Sequence, residues 1–100
     1  MVRLILIKNL NIDGRSATGI EIGMPDAPPL IIICGERGAL LSSYMSLTEV
    51  DRHSMAAAIV KGAYSLEEMM ERPVTSISSR AESLGVKVGM AAREALRLFI

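Results

Sequence analysis

One hundred residues are enough for one domain with one modest core. Eleven basic and eleven acidic residues cancel, and no cluster of Lys or Arg stands out, so phosphate-backbone binding to nucleic acid is not expected. The single cysteine excludes an internal disulfide framework and a cysteine-based zinc site, and nothing in the chain implies a metal or another cofactor.

Half of the residues are apolar, yet only three are aromatic, so the core must be aliphatic and filled out by the seven methionines. That much apolar side chain on so small a body points to burial between subunits, and a homo-oligomer is expected. The run Leu4-Ile5-Leu6-Ile7 is too short for the apolar region of a signal peptide, and no apolar run approaches the ~20 residues of a membrane span. A cytoplasmic protein without a membrane segment is the expectation.

Residues 2–12 read as a first strand. Leu4, Leu6, Leu10 and Ile12 share one parity and Ile5 and Ile7 the other, so both faces should be covered near its start. Asp13-Gly14 is a tight hairpin turn, because both positions tolerate positive φ. A second strand over residues 16–24 would turn Ile20, Ile22 and Met24 inward and Glu21 outward, with Gly19 and Gly23 marking bulges or close backbone approach. Three prolines in residues 25–29 predict a loop. The unbroken apolar run over residues 30–34 predicts a central strand buried on both faces. Gly35-Glu36-Arg37-Gly38 is a hairpin loop, followed by a fourth strand over residues 39–45. Either Ala39, Leu41 and Ser43 or Leu40, Ser42 and Tyr44 face inward there; the pattern does not choose.

Two capping boxes follow, Ser46-x-x-Glu49 and Ser65-x-x-Glu68, each opening a helix. Between them, residues 55–60 have high helix propensity and would extend the first helix to Lys61; a fifth strand is the alternative. Pro73 suits the first turn of a further helix, on which Val74, Ile77, Ala81 and Leu84 form one stripe. Its serines are mediocre helix formers, so it should depend on packing. Gly85 stands where a helix end needs positive φ, with Val86 folding back as the apolar residue after the cap. After Gly89, residues 90–99 read as the last helix, with Val88, Ala92, Ala95 and Phe99 as its apolar face. The architecture expected is a single α+β domain over residues 1–100: a mainly antiparallel sheet of four to five strands with two C-terminal helices on one face.

The segment Ser65-Leu66-Glu67-Glu68-Met69-Met70-Glu71-Arg72-Pro73-Val74, and then Arg80-Ala81-Glu82-Ser83-Leu84-Gly85-Val86-Lys87-Val88-Gly89-Met90, resembles the C-terminal half of the YunC-like family of small bacterial and archaeal proteins of unknown function. The resemblance implies one α+β domain with a mainly antiparallel sheet, and it implies a strand over residues 55–63. It implies no activity. Where it implies a Cys-Gly pair and a nearby Asp in the fourth strand, this chain has Ser42-Ser43-Tyr44-Met45-Ser46, and hydroxyls without a base do not replace a thiolate.

Candidate chemistry is thin. Cys34 ends the most apolar strand and reads as a buried structural thiol. His53, the single histidine, lies four residues after Glu49 and reads as a solvated helix end or as half of an acid–base pair. Arg37 on its glycine loop presents a charge to a ligand carboxylate or phosphate, or simply tops a hairpin. Gly85, Lys87 and Gly89 fit neither the P-loop nor the dinucleotide fingerprint, but with the start of the final helix they offer an anion a backbone cradle. Two functions follow. The first is a self-associating module that binds a small molecule or a protein without catalysis. The second is a small enzyme whose site, drawing on Ser42, His53, Arg37 or Lys87, is assembled between subunits.

Overall fold

The computed structural model describes residues 5–100, so the expected strand start over residues 2–4 lies outside the described residues. Six strands form one sheet in sequence order: β1 (Ile5–Ile12), β2 (Arg15–Met24), β3 (Ala27–Cys34), β4 (Ala39–Ser42), β5 (Ala57–Val60) and β6 (Ser76–Ile77). Four short helices accompany them: α1 (Leu47–Arg52), α2 (Leu66–Glu71), α3 (Ser79–Ser83) and α4 (Ala92–Phe99). The α+β class is as expected. The sheet, however, is larger than expected and mixed, because β4 and β5 run parallel while every other pair is antiparallel. Residues 43–56 carry α1 and supply the crossover of about a dozen residues that a parallel return needs.

The turns explain the first hairpins. Asp13 and Gly14 adopt φ of 53° and 82°, the two-residue turn that matches strand twist. The proline segment is a turn followed by strand rather than a loop. Asp26 takes φ 52°, and β3 starts at once with Ala27 opposite Met24. The register shift between Ile22 and Met24 sets Pro28 and Pro29 against Gly23 alone. These prolines also lie beyond the reach of β4, which pairs only with Ile32, Ile33 and Cys34, so their missing N–H groups break no ladder on that side.

Residues opposite each other in register share a face. On one face Gly19, Ile33, Leu40, Ala58 and Ile77 line up across five strands, with Glu21 and Ile31 in the next row. The helices α2, α3 and α4 cover this face. Leu66, Met69, Met70, Ala81, Ala92, Ala95, Leu96 and Phe99 join Ile31, Ile33, Leu40 and Val60 in the main core. On the other face α1 covers β4 and β5, where Val50 packs with Ala39, Leu41, Ala57 and Ile59, and half-buried Ile32 of β3 borders that cluster. β4 ends at Ser42 rather than at residue 45; Ala39 and Leu41 are buried on one face and Leu40 and Ser42 on the other, while Ser43 and Tyr44, which the two alternatives also turned inward, are exposed.

Four further expectations are corrected. Ile20, Ile22 and Met24 lie on the face away from the main core, while Glu21 points to the helix side and accepts the Leu66 N–H at 2.9 Å at the start of α2. Residues 57–60 are a strand, as the family resemblance implied and against the helix preference of the residues alone. The helix expected from Pro73 to Leu84 is extended over its first half. Pro73 bridges to Ala91, β6 pairs with β5, and only Ser79–Ser83 is helical. Ser78 accounts for this, because its hydroxyl accepts the N–H groups of Ala57 and Ala81 and donates to the Met55 carbonyl, which holds it as N-cap at the sheet. The end of α3 is as expected. Gly85 takes φ 101°, its N–H donates to Glu82 O, and Val86 N–H reaches Ala81 O with its side chain buried. Val88, expected on the buried face of the last helix, is exposed; Leu96 takes that role.

Candidate functional site

The open half of the sheet follows from the register. On the face without helices, β1 contributes Ile5, Ile7, Asn9 and Asn11; β2 contributes Ser16, Thr18, Ile20, Ile22 and Met24; β3 contributes Leu30, Ile32 and Cys34. None of these residues is charged. Ile5 and Ile7 are 63% and 69% exposed, and Ile20, Ile22, Leu30 and Ile32 are half-buried. The expectation that β1 is covered on both faces near its start is not met by the described residues. Cys34 ends this face and is exposed, which corrects its reading as a buried thiol.

Beside Cys34 lies a cleft of ≈ 350 Å³ between the β3–β4 loop, the residues leading into β5 and the first turn of α3; Arg37, Ser54 and Arg80 share its lining. The loop is held by Gly35 N–H on Gly38 O at 2.8 Å and Arg37 N–H on Phe99 O at 2.6 Å. There is no space for side chains at its glycines: a Cβ on Gly35 would meet Phe99 O at 2.6 Å, and one on Gly38 would meet the Phe99 ring at 2.5 Å. A second cavity of ≈ 330 Å³ runs between β1 and helices α2 and α4. Its charges satisfy each other, Lys8 with Glu67 at 2.7 Å and Arg93 with Glu71 at 2.6 Å. The Lys8 ammonium donates to Glu67, whose carboxyl is held below the usual glutamate range by that hydrogen bond first, with a backbone hydrogen bond and the Lys8 charge adding to it.

The residues singled out from the sequence are scattered. Ser42 is buried, and its hydroxyl accepts the Ile31 N–H at 3.2 Å, doing for β3 what a longer β4 would do. It lines a separate depression with Pro28, Tyr44 and Val60. His53 is the exposed C-cap of α1, and the carboxylate of Glu49 is engaged by Arg52 at 3.3 Å. Gly89 takes φ 96°, as the elbow requires, and its N–H donates to Val74 O. Ala92 N–H likewise donates to Arg72 O, and Lys87 stays exposed. Of all these residues, Arg37 lies in a cleft with a second cation that, like it, has no ion pair among the described residues. Sequence reasoning missed Arg80, which no local motif marks; only the docking of α3 against β5 brings it near the hairpin loop. Among the described residues no group of three or more His, Cys, Asp or Glu is placed to hold a metal, and no helix is long and apolar enough to cross a membrane.

The comparisons agree with the fold. The crystal structure of a protein of unknown function, TA1206, from Thermoplasma acidophilum superposes with a TM-score of 0.94 at 20% identity, covering 100% of this chain and 97% of that one. The uncharacterized protein YunC of Bacillus subtilis (strain 168) is 22% identical over 97 residues, spanning 93% of this chain and 95% of that protein. Residues 43–99, which run from the end of β4 through α4, match the family described as a Domain of unknown function (DUF1805), and the chain belongs to that family.

Proposed function

We propose that this protein is a self-associating module without catalysis of its own, and that the open face of β1–β3 is where a second copy packs. The observation that carries this reading is the uncharged aliphatic face centred on Ile5, Ile7, Ile20 and Ile22. In a chain with 22% charged residues, a three-strand surface without one charge among the described residues is a surface kept for contact. A second copy is the occupant it fits. Nothing on it repels its own image, a two-fold contact is the commonest closed symmetry, and stacked sheets bury such alternating residues as a shared core. The absence of charge also leaves no handle for a partner of opposite sign.

Sedimentation velocity over a wide dilution series tests this. The wild-type chain should sediment above its 10.8 kDa monomer mass. Ile7→Asp should sediment as the monomer with unchanged circular dichroism. A wild-type chain that stays monomeric at its highest soluble concentration overturns the proposal.

A further inference from the structure

We infer that the cleft beside Cys34 is an oxyanion site, taking the carboxylate or phosphate group of a small molecule between Arg37 and Arg80. The site itself needs no second copy; because Cys34 ends the open face, the alkylation below is run at dilutions where the chain sediments as the monomer.

Four observations meet at the cleft. The first is charge. Arg37 and Arg80 line one cavity of ≈ 350 Å³, and among the described residues neither guanidinium is ion-paired or hydrogen-bonded, whereas Lys8, Arg52, Arg93 and Arg97 all hold carboxylates. Glu36 also lies on the lining, so the three charges leave the cleft net positive. The second is size, since the volume falls at the lower end of ordinary small-molecule sites. The third is rigidity. Arg37 rides on a loop tied to the end of α4 by its own N–H and packed so tightly that neither glycine admits a Cβ. Arg80 follows Ser78 and Ser79, which are anchored by the Ser78 hydroxyl to β5 and by Ser79 N–H on Asp51 at 2.9 Å. With both backbones fixed, closing on a planar or tetrahedral oxyanion orders only the two side chains, and each guanidinium offers a fork of donors to it. The fourth is the exposed Cys34 thiol on the same lining, the single cysteine of the chain, which makes a built-in reporter.

The test uses that reporter and then the anions themselves. Cys34 is alkylated with iodoacetate and, separately, with iodoacetamide. In both reactions the thiolate displaces iodide and forms one S–C bond; only the first reagent carries a carboxylate. The ratio of the two rates, measured on the folded chain and on the chain unfolded in urea, reports the attraction of the cleft for an oxyanion. A ratio raised about tenfold by folding is expected, in the range that a focused positive field gives. Arg37→Gln and Arg80→Gln should each return most of that gain, while Arg97→Gln, whose guanidinium pairs with Asp13 elsewhere, should keep it. Inorganic phosphate or malonate should slow the iodoacetate reaction at constant ionic strength. In parallel, amide spectra are followed as phosphate, malonate or chloride is added. Saturating shifts confined to residues near Cys34, Arg37, Ser54 and Arg80 support the site, and the stronger of phosphate and malonate identifies the ligand class. An alkylation ratio unchanged by folding, or shifts no larger with phosphate and malonate than with chloride, overturns it. If the thiol proves unreactive to both reagents, the titration alone decides.

Discussion

Ile33 and Ile7 come from the same sheet and each from an apolar run, but Ile33 is fully buried under the helices and Ile7 is 69% exposed. The difference lies in what the chain has left to cover them with. Helices α2, α3 and α4 reach across the face that holds Ile33, and the six residues of α1 shield little beyond β4 and β5 on the other. An apolar run therefore shows that a strand has an apolar side; it does not show that the same chain closes that side. The uncovered half of the sheet is the surplus that composition alone pointed to, and the structure gives it a place on β1–β3.

This contrast sets the largest expected effect. Ile33→Ala removes atoms from a closed core and should cost about 2–5 kcal/mol in urea unfolding. Ile7→Ala should shift monomer stability by no more than about 0.5 kcal/mol. If the two-copy packing holds, the same Ile7→Ala change weakens association, so its effect on unfolding grows with protein concentration. Equal costs at the two positions at low concentration would erase the distinction between the faces.

A smaller effect is expected at Ser78, which joins the covered face to its helices. Ser78→Ala leaves the Ala57 N–H and the Met55 carbonyl without their hydroxyl partner in a buried setting and should cost about 1–3 kcal/mol. Hydrogen exchange sharpens the reading: protection at Ala57 and Ala81 should fall more than at Ile20 or Ile22 on the open face. A uniform loss of protection would mean that Ser78 supports the whole domain rather than the α3–β5 joint.

Much of this was legible where chemistry is local. Asp13-Gly14 dictated its turn, Gly85 with Val86 dictated the end of α3, and Ser65 caps the Glu68 N–H as its spacing required. Ser46 begins α1 without a side-chain cap, so the serine half of the motif holds in one place of two, and there Glu68 accepts the Tyr64 N–H rather than that of Ser65. What sequence left open was decided by partners distant in the chain. Residues 55–60 read as helix through Met55 and the three alanines, yet small Ala57 and Ala58 and β-branched Ile59 and Val60 let residues 57–60 sit between β4 and β6. Glu21 looked outward because it is charged, and it faces inward because the free N–H of Leu66 stands there to receive it. Ser42 looked chemical because it is a hydroxyl beside a strand end, and its hydroxyl accepts a backbone N–H. Arg80 became interesting only when α3 docked.

Lys8 supplies the mildest and most specific test of the two faces, because it interrupts the aliphatic pattern of β1 on the helix side. Its ammonium reaches Glu67 on α2 at 2.7 Å, tying the edge strand to the helix that covers it; the open face has no such tie. Both side chains are well exposed, so removing the pair should barely move the unfolding midpoint near neutral pH. The titration of Glu67 is the sensitive readout. Its folded pKa is depressed, so the stabilisation from the pair is present above the unfolded carboxylate pKa and is lost as pH falls through the lower folded value. Lys8→Met should therefore raise the Glu67 midpoint toward that of an ordinary glutamate, followed by carboxyl carbon chemical shifts, and should flatten the acid limb of the stability curve. A Glu67 midpoint indifferent to this substitution would mean that the edge of β1 is held to α2 by Leu10 and Leu66 packing alone, with the charge only solvating the rim.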